Sequence, residues 1–287
     1  MLRTTAAILL LLGATVASAD SATVFTRITL DDEEHPRALQ MSIVTYEPAD
    51  SRDILSVDLV SAIHIGDPSY YAELNERFRE YDALLYELVA PQDAAARGGL
   101  DKRKGILSTT QVVMTKLLGL SFQLDEINYD QINFVHADLS PEELRQSMAD
   151  RGESLYVYFW RIFFATLDEY AKDPLGLQDL QMLSTMVASG QENSFKTMIA
   201  YEMTNIDQVQ DILGEDSDSA VIGARNQRAI DVLIREIDAG AKRIGIFYGV
   251  AHMPDLEERL MEQLGLEYSA TDWVDAWQLG GETPTGQ

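Results

Sequence analysis

Apolar and polar positions change their period twice along this chain, and the changes divide it into three parts. Residues 22–30 (ATVFTRITL) and 38–48 (ALQMSIVTYEP) alternate in part and flank the turn-like, acidic DDEEHPR, which predicts a hairpin. ILSVDLVSAIH (54–64) is a longer apolar, β-branched run of the kind expected of a buried strand. Asp67-Pro68 then has the form of a helix start, because Asp is a favoured N-cap and Pro fits the first turn. Tyr71, Leu74 and Phe78 recur at helical spacing behind it, and DALLYELVAP (82–91) supplies a second apolar strand closed by Pro91. Strand, helix and strand in so short a stretch form a βαβ unit, which implies a parallel sheet.

From about 92 to 240 the pattern is mainly helical, with INFVHADL (132–139) as its one strand-like interruption. Ser140-Pro141-Glu142-Glu143 reads as a capping-box helix start. SLYVYFWRIFFATL (154–167) is apolar almost all round but too short to span a bilayer, so it is read as a buried helix or the wall of a groove. Further helices are expected at 176–189, 193–213 and 217–239. A buried strand is expected again in IGIFYGV (244–250), followed by a helix ending at Gly265 and a last strand in 266–279. The expected fold is therefore α/β, a mainly parallel sheet with flanking helices and a large helical insertion at about 92–240, all in one domain over 20–280 with a tail at 281–287.

Composition changes this picture at the N-terminus and at the surface. Residues 1–19 carry one positive charge, Arg3, then an apolar stretch, then Ala17-Ser18-Ala19, the arrangement of a cleavable secretory signal peptide. With no cysteine in the chain there is no disulfide framework, and an exported protein without one points to a bacterial periplasm, with no stable membrane insertion after cleavage. The formal net charge of −25 argues against nucleic acid and anionic membranes as partners and draws cations to the surface. No GxSxG, HExxH, Walker or GxGxxG pattern is present, which removes most support for serine hydrolase, zincin and nucleotide-dependent chemistry.

Candidate chemistry comes from the rule that ligands bind outside the carboxyl ends of parallel strands. His64 closes one strand, Glu87 lies near the end of the next, and His252 follows a third by two residues, so the three are expected on one sheet edge. Neutral imidazoles and a carboxylate suit a divalent cation such as Zn²⁺ or Mn²⁺ with open positions for water, or general acid–base work without a metal. Glu87 is the strongest of them, since an ionisable group in an apolar run needs a partner or a shifted pKa. Arg225, near the start of the amphipathic helix containing Val221, Ile222, Ile230, Leu233, Ile234 and Ile237, is the candidate partner, either fixing Glu87 or meeting a substrate anion. Its neighbour Asn226 is a candidate hydrogen-bonding residue, and Tyr248 and Tyr86 are either candidate oxyanion donors or core tyrosines of their strands. His136 is a third histidine candidate; with Asp138 two residues on, the pair is either a ligand pair or, as we favour, an ordinary local hydrogen bond. His35 reads as an exposed turn residue.

GVAH (249–252), SAIH (61–64), the glutamate of YDALLYELVAP and the Arg225-Asn226 of ARNQRAI together resemble the TraB/GumN family, which includes the Tiki-type proteases and is distantly similar to EreA- and ChaN-like proteins. That family carries two GxxH motifs, and Ser61 stands here in place of the first glycine. The resemblance runs from about residue 40 to 265 and implies a metal site of His64, His252 and Glu87 favouring Mn²⁺ or Co²⁺, acting on a peptide or amide-containing signal. The EreA-like relatives imply a metal-free esterase, the ChaN-like ones a protein that binds haem or iron, and the TraB-type members one that sequesters or cleaves a signalling peptide.

Overall fold

The computed structural model describes residues 23–49, 55–89, 119–151, 192–204 and 219–280. The expected leader, the apolar segment 154–167, the helix at 176–189 and the tail at 281–287 lie outside them, as do most of residues 92–121. No helix among the described residues is long and apolar enough to cross a membrane.

The hairpin forms as β1 (Thr26–Leu30) and β2 (Pro36–Pro48), antiparallel, around a turn in which Glu34 takes a left-handed φ of 64°. β9 (Leu266–Gln278) runs antiparallel along one edge of β2, while β1 and β3 (Ser56–Ala62) occupy successive halves of its other edge. Beyond β3 the sheet becomes parallel. β8 (Arg243–Gly249) pairs with β3 and with β5 (Ala83–Tyr86), and β7 (Phe134–His136) closes the row beside β5. The order β3-β8-β5-β7 inserts the late strand β8 between the two strands of the early βαβ unit. The architecture is thus α/β with a mixed sheet whose site-bearing half is parallel.

Alternation along the strands fills two cores. Val57, Leu59, Ile244, Ile246, Ala83 and Leu85 face one side, where they meet α5 (Gly223–Asp238) and α6 (Met253–Leu264). Val60, Ala62, Phe247, Leu84 and Tyr86 face the other, against Tyr70, Tyr71, Leu74 and Phe78 of α1 (Pro68–Phe78). Both faces being covered explains why these strands read as near-continuous apolar runs. On α5 the buried side is Arg225, Asn226, Ala229, Ile230, Val232 and Leu233, whereas Ile234, expected on it, is 38% exposed.

Several local expectations are met in detail. Ser140 Oγ accepts from Glu143 N–H at 3.2 Å and Glu143 Oε2 accepts from Ser140 N–H at 2.8 Å, the reciprocal capping box that opens α3 (Pro141–Arg151). Gly265 ends α6 with φ 63°, a left-handed cap that a side chain would strain. Asp67 sits at the N-cap of α1 but its side chain makes no capping bond. Its carboxylate accepts instead from buried Lys196 of α4 (Glu192–Met203) at 3.0 Å and from Gln278 N–H at 2.6 Å, tying three distant segments together. Within the span read as a helical insertion, β7 is a strand of the main sheet and α5 one of its covering helices.

Candidate functional site

The carboxyl ends of the four parallel strands bring the candidate residues together. β3 leads to His64, β8 to Gly249 and then through a short turn, Val250–His252, to His252. β5 ends at Tyr86, so Glu87 is the first residue past the strand rather than inside it. β7 leads to Asp138, and α5 presents Arg225 to the same edge from one face.

Arg225 is the hub. Its Nη2 donates to Glu87 Oε1 at 2.6 Å and to Asp138 Oδ2 at 2.7 Å, and its Nε donates to Asp138 Oδ1 at 2.9 Å. The fork on Asp138 is bidentate, which fixes the guanidinium plane. Nη1 lies 3.4 Å from His252 Nε2, and that nitrogen is 3.6 Å from Glu87 Oε1. Glu87 Oε2 accepts from Gly249 N–H at 2.7 Å. Burial opposes the charge on Glu87, but Arg225, the two imidazoles and the Gly249 amide outweigh it and hold this carboxyl well below the usual range. Burial likewise works against the Arg225 charge, and Glu87 and Asp138 overcome it, so its pKa is raised.

Both histidines are held by amide side chains. Asn226 Nδ2 donates to the carbonyl oxygen of His252 at 3.2 Å and to Asp255 Oδ2 at 2.7 Å, two groups that only accept. Asn226 Oδ1 therefore faces His252 Nδ1, 2.6 Å away, and accepts a hydrogen bond from its N–H, leaving Nε2 unprotonated. Arg259 in turn holds Asp255. Burial, aided by the Arg225 charge and opposed by Glu87, pulls the pKa of His252 down to about 4, so the ring is neutral at pH 7. His64, more exposed, has Nδ1 3.2 Å from Gln123 Oε1. Its loop is pinned by three successive carbonyls: Ile63 to Tyr71 Oη (2.9 Å), His64 to Gln123 N–H (2.9 Å) and Ile65 to Trp277 Nε1 (2.7 Å).

Gly249 lies at the meeting point. A Cβ there would stand 3.3 Å from Glu87 Oε2 and 3.9 Å from both His252 Cδ2 and His64 Nε2, so the glycine admits the carboxylate against the backbone. In the matching first motif, Ser61 is buried and its hydroxyl lies 3.1 Å from Ser42 Oγ, where it serves strand packing.

The remaining candidates have other duties. Tyr248 is fully buried and its hydroxyl donates to Ala137 O at 2.6 Å, so as an oxyanion donor it is corrected: its one proton is committed to the wall of the site. Asn226 is also fully buried and acts on His252 rather than on a substrate. His136 does not bond Asp138. It donates through Nε2 to Leu88 O at 2.6 Å, with its ring edge-on to buried Tyr86. Asp138 instead belongs to the site, and sequence reasoning placed it only beside His136; its signal was an acid two residues past a strand, much as Glu87 stands one past its own. Gln123 gave no signal of its own.

The donor set fits a divalent cation in kind, with two imidazoles and a carboxylate, but Arg225 already bridges Glu87 and His252. Among the described residues no group of three His, Asp or Glu side chains stands ready-made around a single ion position. No family model, curated protein or solved structure matches the chain.

Proposed function

We propose that this chain is an exported, periplasmic hydrolase that cleaves a peptide or amide-containing signal at the carboxyl edge of its parallel strands. The observation that carries this reading is the convergence on Gly249 of His64, His252 and the buried, arginine-clamped Glu87. Such a cluster, partly shut from water, is where a nucleophilic water is best held and polarised. The likeness of its motifs to TraB/GumN proteins supports the same class of chemistry.

His64, His252 and Glu87 would hold a Mn²⁺, Co²⁺ or Zn²⁺ ion, which would supply a bound water of lowered pKa and polarise the scissile carbonyl. The chain's own contributions follow from the contacts. Asn226 keeps His252 Nε2 unprotonated toward the site. Arg225 fixes the Glu87 carboxylate and keeps it ionised, with Asp138 holding the guanidinium in plane. Gly249 N–H orients the second carboxylate oxygen.

A metal-free reading, with a histidine as the base, is favoured by one observation: Arg225 Nη1 already faces His252 Nε2 at 3.4 Å, a position a cation at that nitrogen would contest. Calorimetric titration of Mn²⁺, Co²⁺ and Zn²⁺ into the protein and into a His64→Ala/His252→Ala variant separates the two. Micromolar, stoichiometric binding lost in the variant, with metal-dependent cleavage in a peptide screen, supports the metallohydrolase. Turnover of ester or amide substrates without metal supports the other. Ligand binding without turnover in either condition, for a peptide or haem, refutes the hydrolase and leaves a capture protein.

A further inference from the structure

We infer that Gln123 is a positioning residue that locks His64 into the Nδ1–H tautomer, so that its bare Nε2 faces the carboxylate cluster. The inference rests on the proposed site but concerns a residue outside its motifs.

The local chain is built to bring this amide to the histidine. Ile65–Gly66 and Ser121–Phe122 (β4 and β6) form a two-stranded antiparallel pair, which sets Gln123 at the start of a single helical turn, α2 (Gln123–Glu126). Gln123 N–H donates to the His64 carbonyl at 2.9 Å, so the two residues are joined through backbone as well as side chain. The side chain is 4% exposed, in a turn whose other three residues, Leu124 to Glu126, are exposed. Its Nε2 donates to Tyr129 Oη at 2.9 Å, which turns Oε1 toward His64 Nδ1 at 3.2 Å. An amide oxygen can only accept, so Nδ1 carries the proton and Nε2 does not.

The arrangement repeats the one at His252, where Asn226 faces Nδ1 at 2.6 Å. Two histidines on different strands thus meet two amides on different helical segments, with the same outcome at each ring. Convergence of this kind supports a working Nε2 on both, because a histidine that merely fills a turn needs no buried partner of one polarity. Partners of this sort usually fix ring orientation and basicity.

The test reads the tautomer directly. Long-range ¹H–¹⁵N spectra of the histidine-labelled full chain contain four rings, and His136, whose Nε2 donates to Leu88 O, supplies an internal reference for the opposite tautomer. His64 is assigned from the spectrum of His64→Gln. The expected result is an Nδ1–H pattern for His64, lost in Gln123→Leu and kept in Gln123→Glu, whose carboxylate also only accepts. Gln123→Leu should also weaken binding of Mn²⁺ alone by about 10- to 100-fold, and Gln123→Glu should not. An Nε2–H pattern in the wild type, or an unchanged one in Gln123→Leu, overturns the inference. Because the spectrum needs neither metal nor substrate, an Nδ1–H pattern in a protein that neither binds metal nor hydrolyses anything would leave this inference standing and sink the hydrolase reading alone.

Discussion

Arg225→Met tests the claim that one guanidinium holds the site together. Met is chosen because it keeps most of the side-chain volume and removes the charge and all the donors. The structure gives the size of the loss. Arg225 makes three hydrogen bonds of 2.6–2.9 Å to two carboxylates, leaving Glu87 with the Gly249 amide and Asp138 with the Leu139 amide as remaining donors. Removing one partner of a buried ion pair costs about 3–5 kcal/mol, because the other charge stays buried without compensation. That is the loss expected near pH 8.

The pH dependence distinguishes this cause from lost packing. Without Arg225 the burial of Glu87 is no longer outweighed, so its folded pKa rises above the unfolded value. His252, 3.6 Å from Glu87 and freed of a cationic neighbour, gains a reason to protonate, so its folded pKa also rises. A raised folded pKa contributes stability below the unfolded pKa that is lost as pH rises through the folded one. The two are coupled, so one proton taken up by the pair, on either member, neutralises it and favours the variant in acid. Urea unfolding followed by circular dichroism at pH 5 and pH 8 should show the gap between wild type and variant narrowing at pH 5. A gap under about 1 kcal/mol at pH 8, or one equal at both pH values, refutes the reasoning.

Two further outcomes follow from the same geometry. Gly249→Ala places a Cβ 3.3 Å from an oxygen that Arg225 and the Gly249 amide prevent from retreating, so it should destabilise by about 1–3 kcal/mol and weaken Mn²⁺ binding, while full tolerance in a thermal melt would show the carboxylate to be mobile. In the wild type His252 has its pKa lowered from 6.5 to about 4, so the unfolded chain binds more protons in that window and stability should fall as pH drops through it. The loss is at most about 3 kcal/mol, complete near pH 4. Subtracting the pH–stability curve of His252→Gln should isolate it, and parallel curves would place His252 in contact with water.

Much of the site was legible because the sheet rule acts on short sequence signals. An apolar run ending in histidine or glutamate marks a strand's carboxyl end, and parallel strands bring such ends to one edge whatever their separation in sequence. His64, Glu87 and His252 were found in this way, and Arg225 followed from asking what could neutralise Glu87. The strand order was not legible. Nothing in residues 54–91 says that β8 enters between β3 and β5, since pairing of buried parallel strands is decided by packing on two faces. Polar residues that act through other residues were legible only in part. Asn226 stood out only as a neighbour of Arg225, Asp138 only beside His136 and Gln123 not at all, and burial is what gives them their roles. Tyr248 shows the converse, a polar group whose candidate chemistry disappears once Ala137 O is found against its hydroxyl.

The balance of donors and acceptors limits what the site can receive. Glu87 and Asp138 bring two negative charges against one positive charge on Arg225, and His252 is neutral at pH 7. The cluster brings together two imidazoles and a carboxylate, while Arg225 Nε and Nη2 are committed to carboxylates and Nη1 faces His252 Nε2. An anion such as phosphate therefore has little to meet, whereas a cation, a water or an amide N–H finds acceptors on several sides. His252 also has no proton to give to a leaving group at neutral pH, so its part is to accept. In the proposed hydrolase a leaving amine would therefore draw its proton from water, since neither imidazole presents an N–H to the cluster through Nε2.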